Sequence, residues 1–230
     1  MLGYLKLIGK VATYPIPRIP LKQGAGRRLL DLGCNWGRWS ISAAREGWLV
    51  VGIDPSLGAI MAARRAFENE RNVMFVCGDA RFLPFRDNIF ARVFSYSVVQ
   101  HFSETDAGAA LGEVSRVLDR NGSSTIQMAH RGGIRSTYVR TRRNYLGGGR
   151  FRVRYWSLSE INRDFTKKIG RSTLISEGFG GLGLLIEDWR IVSTSAKILI
   201  FISAVMKKIA RVVGPLMYIA DSIYVVSIKR

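Results

Sequence analysis

The sequence is poor in the residues on which many small folds and metal sites depend. It has two cysteines, Cys34 and Cys77, and two histidines, His101 and His130. The cysteines are too few and too far apart for a disulfide framework or a metal-binding pattern. They fit a reducing, cytoplasmic setting, and no metal ligand set is read. Three of the six prolines, Pro15, Pro17 and Pro20, crowd into one short stretch. That predicts an extended arm leading into the domain. Apolar runs are short, and none reaches the roughly 18–20 residues that span a bilayer. The opening "MLGYLKLIGKVATYPIPRIP" is broken by Lys6 and Lys10 and lacks a small-residue cleavage site, so no secretory leader is expected. Acids are scarce as well: 17 Asp and Glu stand against 35 Lys and Arg, a net charge of +18. Such an excess bears on partners rather than on fold. Nucleic acid, an anionic membrane surface and a phosphorylated substrate are all compatible with it.

What is present reads as one large domain, since 230 residues suffice for a full core. Short apolar runs ending in glycine or acid alternate with helical segments. "RRLLDLG" (27–33), "WLVVGIDP" (48–55), "NVMFVCGDA" (72–80), a run within 89–102 and "SSTIQMAH" (123–130) are the predicted strands. Between them lie helices at 40–47 with Gly47 as a C-terminal stop, at 56–70 with Ser56 as N-cap, and at 106–122 with a glycine stop. Alternation of this kind implies βαβ units with right-handed crossovers. The expected fold is α/β: a Rossmann-like doubly wound sheet, mostly parallel with an antiparallel last strand, helices on both faces. Its expected parts are an N-terminal arm (1–26), a cofactor-binding core (27–130), a basic segment (131–171), and C-terminal strands (172–230) with an amphipathic helix at 195–213. Within the basic segment "LGGG" (146–149) is a flexible point, and a helix over 157–170 starts near Ser157 or Ser159.

Ligands of open α/β sheets bind beyond the carboxyl ends of the strands, at the switch in strand order. Asp31, Asp54 and Asp79 fall at three successive strand ends, 23 and 25 residues apart. Gly33 and Gly37 let the backbone turn and approach a ligand where a Cβ would clash. Asp54 can accept hydrogen bonds from both hydroxyls of a ribose, and Asp79 from an adenine amino group. Asp31 would repel a pyrophosphate but suits a ligand with a cationic amino-acid end. A nicotinamide-binding domain is disfavoured for that reason, and because "LGCNWG" lacks the G-x-G-x-x-G spacing.

"LLDLGCNWGRWS", "VVGIDPS", "VCGDARFLPFRDNIFARVFSYSVVQHF" and "EVSRVLDRNGSSTIQM", taken in order, resemble the successive motifs of class I S-adenosylmethionine-dependent methyltransferases. The resemblance covers residues 27 to 130. It implies that S-adenosyl-L-methionine is the cofactor, with Asp31, Gly33 and Gly37 around its methionine portion. Asp54 would hold the ribose, and Asp79 with Ala80 the adenine. The implied set extends along the same turn and strand ends to Cys34, Asn35, Pro55 and Ser95. Asn35 stands where the family often has glycine, and asparagine tolerates a left-handed backbone.

Methyl transfer to oxygen needs a group that removes a proton. His101, after the fourth strand, has an imidazole suited to that task near neutral pH, and it equally suits a capping or lining role. "SYSVVQ" replaces the Asn/Asp-Pro-Pro-aromatic motif of amino-group methylators. The chain therefore resembles the small-molecule branch, which includes quinone, sterol and saccharide O-methyltransferases. The basic segment holds twelve Lys/Arg and two acids. It interleaves arginine with Tyr and Trp where the family builds its substrate lid. It can grip an anionic acceptor or bind RNA, or it can be a solvated face. In "SAKILIFISAVMKKIARVVGPL" (195–216), Ile198, Ile202, Val205, Ile209 and Val212 share a helical face, with Lys197, Lys208 and Arg211 opposite. That helix can lie in an anionic membrane interface, pack on the sheet, or form a homodimer seam. The expected protein is thus a methyltransferase of a small or lipid-linked acceptor, cytoplasmic or peripheral on the membrane. The alternatives are an RNA methyltransferase and an inactive, partner-binding relative.

Overall fold

The computed structural model describes residues 15–146, 153–180 and 185–230. Seven strands form one sheet in the order β3-β2-β1-β4-β5-β7-β6. They are β1 (Arg28–Leu32), β2 (Leu49–Asp54), β3 (Val73–Cys77), β4 (Phe90–Ser95), β5 (Leu118–Ala129), β6 (Gly170–Gly178) and β7 (Ser222–Lys229). β1 to β5 pair in parallel, while β7 runs antiparallel to both β5 and β6. The helices are α1 (Arg38–Arg45), α2 (Leu57–Ala66), α3 (Glu104–Val117), α4 (Ile134–Leu146), α5 (Leu158–Lys168) and α6 (Thr194–Ala210).

Adjacent strand residues feed different cores, as a pleat covered on both faces requires. Leu30 and Val93 join α3 and α5 through Leu111, Val114, Ile161 and Phe165. Their neighbours Leu29 and Phe94 join α1 through Ala43, with Trp48. Ile60 and Ala63 of α2 close on Phe75 and Cys34. The expected doubly wound sheet with its antiparallel last strand is therefore the fold observed.

Local chemistry sets the element ends. Ser56, Ser103, Ser157 and Ser193 each cap a helix through a side-chain oxygen, and Ser157 forms a full capping box with Glu160. One expected boundary fails. The third predicted helix, 106–122, ends at Val117, and Leu118 already pairs with Phe90 of β4. Gly122 lies inside β5, beside a left-handed Asn121, and it relieves a tight kink: a Cβ there would meet Asp119 Oδ1 at 2.5 Å.

The arm is fastened rather than loose over its described part. Ile19 is buried, and its N–H donates to Ser42 Oγ (2.8 Å). Arg38 Nε donates to Pro15 O (2.9 Å), and Trp48 Nε1 donates to Lys22 O (3.0 Å). Residues 1–14 and the glycines of "LGGG" lie outside the described residues. The basic segment divides in two: α4, whose described arginines are exposed, and α5, whose Ile161 and Phe165 belong to the main core.

Candidate active site

The order of strands reverses between β1 and β4, so a crevice opens beyond their carboxyl ends. The turn from β1 to α1 forms its floor. Gly33 N and Cys34 N both donate to Ile53 O (2.8 and 3.0 Å), which ties the turn to the end of β2. Gly33, Asn35 and Gly37 all have positive φ, at 75°, 50° and 87°. The two glycines are required twice over, by conformation and by space. A Cβ on Gly33 would lie 2.2 Å from Val98 Cγ2, and one on Gly37 2.6 Å from Phe75 Cζ. The left-handed Asn35 expected from the sequence is present.

The three strand-end acids occupy distinct environments. Asp54 is half-buried at the end of β2, where Oδ2 accepts from Asn35 N and Oδ1 from Ser56 N (both 2.9 Å). Each carboxylate oxygen keeps a lone pair for a further donor, as a ribose diol requires. Asp31 is 1% exposed, beneath the turn, and accepts from Ser40 Oγ (2.6 Å). Burial pushes its carboxyl up to about 7, the hydrogen bond from Ser40 opposing, and the nearby Asp54 adds to the rise. Asp79 is held by Arg81, with Nη2 to Oδ2 at 2.6 Å, and Arg81 reaches on to Asp106 Oδ1 (2.9 Å). That guanidinium keeps the Asp79 carboxyl below the usual range. Ala80 beside it is buried.

The remaining expected residues are structural in their contacts. Cys34 is buried against α2, its Sγ 3.5 Å from Asn35 O, and burial pushes its thiol up. Ser95 is buried and donates to Leu32 O (2.9 Å), which locks β4 to the end of β1. Pro55 is exposed, and its carbonyl accepts from Cys77 Sγ (3.6 Å). His101 ends a short 3-10 turn, Val99–His101; its N–H donates to Val98 O (2.9 Å) and the residue is half-buried. His130 is buried where β5 meets β7, with Nδ1 2.8 Å from Ala220 O, and burial lowers its pKa. Among the described residues no group of His, Cys, Asp and Glu could hold a metal ion.

Sequence reasoning missed Val98 and Ser97 beside the crevice, and Glu177 near the end of the edge strand β6. Val98 packs on Gly33, and Ser97 adopts φ 63°, a strained value for serine. Glu177 ends β6 as a buried acid.

The glycine turn and the strand-end acids on a doubly wound sheet with an antiparallel β7 define a class I methyltransferase fold. A methyltransferase domain model matches residues 29–122. The demethylmenaquinone methyltransferase of Corynebacterium kroppenstedtii is 38% identical over 102 residues, 44% of this chain and 41% of that protein. The ubiquinone biosynthesis O-methyltransferase of Bradyrhizobium sp. is 33% identical over 108 residues, 46% of this chain and 42% of that protein. The matched region thus spans about two fifths of these curated relatives. Among solved structures, the YcgJ protein of Bacillus subtilis covers the whole chain and 98% of its own, at TM-score 0.61 and 18% identity. PH0226 of Pyrococcus horikoshii matches 100% of this chain and 89% of its own, at TM-score 0.61 and 20% identity. Residues 29–122 thus resemble a methyltransferase domain, and the chain as a whole has the fold of these solved structures.

Proposed function

We propose that the protein methylates an oxygen of a small or lipid-linked, anionic acceptor. The observation that carries methyl transfer is the turn from Gly33 to Gly37. Its left-handed glycines pack so closely on Val98 and Phe75 that no Cβ fits, which fixes the turn beside an Asp54 carboxylate with lone pairs to spare. S-adenosylmethionine supplies an activated methyl group on its sulfonium. The chain's part is to orient: Gly33 and Gly37 admit the methionine end, Asp54 accepts from the ribose hydroxyls, and Asp79 with Ala80 borders the adenine. Cys34, Asn35, Pro55 and Ser95 hold the shape of that cradle. Positioning of donor and acceptor in line supplies most of the rate. His101, in the 3-10 turn that follows β4, is the proton acceptor for an acceptor hydroxyl. An Asp54→Ala variant is expected to lose binding of S-adenosylhomocysteine in calorimetric titration, and undiminished binding would overturn the assignment.

The lipid-linked part of the reading is supported by α6 and by relatives named for quinone methylation. The helix buries Ile200 (3% exposed), with Ser203 and Ala204 on the same side. Its stronger apolar stripe faces outward: Ile198 is 56% exposed, Phe201 62% and Ile202 49%, with Val205 and Ile209 alongside. Trp189 is exposed next to it, with Lys197 5.9 Å from its ring. Among the described residues the stripe does not pack on the sheet. No described helix is long and apolar enough to cross a membrane. A cationic helix with its apolar face outward suits an anionic bilayer surface. Full-length protein is expected to float with phosphatidylglycerol vesicles and an Ile198→Glu/Ile202→Glu variant to stay behind. Equal flotation of the two would refute this placement.

A further inference from the structure

Beneath α6, on the side away from its exposed stripe, lies a half-open cavity of about 290 Å³, with Arg18 and Glu187 also on its wall. The wall residues that matter are Trp39 of α1, Tyr224 of β7, Glu177 of β6, and Ile200, Ala204 and Lys207 of α6. Glu177 points in from an irregularity in β6, where the register with β7 shifts between Ser176 and Gly178. It is 7% exposed and hydrogen-bonded by the side chains of Tyr96 and Ser222. Ser222 in turn accepts from Gln127 Nε2 (2.5 Å). Burial raises the carboxyl, and Lys207 opposes that rise. This acid is costly to bury, and the bonds from Tyr96 and Ser222 offset part of that cost.

An aromatic row connects this acid to the crevice. Tyr96 directly follows Ser95, which holds the end of β1, so it stands next to the Gly33 turn. Its ring lies 4.9 Å from Trp39, tilted by 35°, and 6.2 Å from Tyr224. Trp39 belongs to the first turn of α1, two residues after Gly37. The row therefore runs from the place proposed for the cofactor to Glu177, over the face of β4 and β7.

Flat walls of Trp and Tyr receive a flat ring, through offset or tilted stacking. A buried carboxyl at the far end, whose oxygens keep lone pairs beyond the bonds from Tyr96 and Ser222, accepts from a hydroxyl on that ring. The volume lies at the small end of ligand cavities, which fits one or two fused rings rather than a larger body. Ile186 lines the mouth and is itself exposed beside the apolar surface of α6 and Trp189, so a ring with an apolar tail has a continuous way out.

We infer that this cavity is the acceptor subsite: it takes a hydroxylated aromatic ring, stacked along Trp39 and Tyr224 with a ring hydroxyl on Glu177. The inference rests on the methyl-transfer reading above for what happens to that ring, but not for its binding. It makes Glu177 a residue that selects the acceptor.

The test is a fluorescence titration of full-length protein with 2-naphthol, and with naphthalene as the analogue that lacks the hydroxyl. Wild type is expected to bind 2-naphthol saturably. Glu177→Gln is expected to weaken 2-naphthol at least about tenfold, the loss of one buried hydrogen bond to a carboxylate, and to leave naphthalene unchanged. Ala204→Leu, which fills the cavity from α6 without touching Glu177, is expected to abolish binding of both. Calorimetric affinity for S-adenosylhomocysteine should be the same in all three proteins. Absence of 2-naphthol binding by wild type would overturn the subsite, and so would binding that survives Ala204→Leu. Equal weakening of naphthalene and 2-naphthol by Glu177→Gln would overturn the role of the carboxyl. Should Glu177→Gln fail to fold by circular dichroism, Ala204→Leu still decides. Loss of S-adenosylhomocysteine binding by wild type would instead sink the methyl-transfer reading, and 2-naphthol binding would stand apart from it.

Discussion

Burial and the Ser40 hydroxyl pull the Asp31 carboxyl in opposite directions, and burial wins. The folded protein holds this proton up to about pH 7, whereas an unfolded chain releases it near the ordinary value of 3.8. Between those limits the native state binds more protons than the unfolded one. Stability therefore falls as pH rises from about 4 to about 7 and is level above it, by on the order of 4 kcal/mol for this group alone. Asp31→Asn removes that dependence and keeps a hydrogen bond to Ser40. The melting temperature of wild type relative to Asp31→Asn is expected to drop across this window; parallel curves would show that Asp31 does not titrate there. Gly33 sets a second expectation at the same scale. Gly33→Ala meets both a φ of 75° and the Val98 methyl groups. It should cost about 2–4 kcal/mol and lose S-adenosylhomocysteine binding. Adding Val98→Ala relieves the clash but not the backbone, so chemical denaturation should show partial recovery only.

Among the described residues a buried ion pair joins elements far apart in sequence. Arg38 Nη2 of α1 lies 2.5 Å from Asp188 Oδ1, in the short 3-10 segment Ile186–Arg190 that precedes α6. Asp188 is fully buried, and its Oδ2 accepts from Leu185 N (3.0 Å). The same guanidinium bonds Pro15 O, so a single side chain joins the arm, α1 and the approach to α6. Removal of one partner strands a buried charge. Asp188→Ala is expected to lower stability by about 3–5 kcal/mol in urea unfolding, and Arg38→Met/Asp188→Leu together to recover most of it. No recovery would mean that the guanidinium matters through Pro15 instead. None of this pairing was legible in the sequence, because the partners are 150 residues apart and each is an ordinary surface residue type. The elements from 27 to 130 were legible, since apolar runs with glycine or acid stops alternate there with capped helices. The error at Val117 has a physical cause: Leu118 can extend a helix or open a strand, and only pairing with Phe90 decides. For α6 the amphipathic pattern was visible but not its orientation. Ile200, Ser203 and Ala204 face inward over the cavity, which turns the larger aliphatic stripe to the outside.

At the scale of the whole molecule, the charge of +18 and the apolar stripe of α6 make different demands on a partner. Charge alone acts over a Debye length, about 8 Å at physiological salt, and fades as salt rises. A surface that bound RNA through its lysines and arginines would lose affinity steeply and without remainder. The stripe adds a contribution that salt does not screen, since Ile198, Phe201 and Ile202 gain from leaving water whatever the ionic strength. The cofactor region could be recognised from short motifs because its chemistry fixes backbone conformation and strand-end acids. The acceptor region could not, because it is assembled from β6, β7 and α6 around a cavity that no local pattern records. Salt separates the two partner readings. With phosphatidylglycerol vesicles, flotation of the full-length protein is expected to decline between 0.05 M and about 0.5 M salt and then level off at a residue held by the stripe. Ile198→Glu/Ile202→Glu should fall to nothing over the same range, because only the cations remain to hold it. A wild-type curve that also falls to nothing would make the attraction purely electrostatic and α6 a bystander.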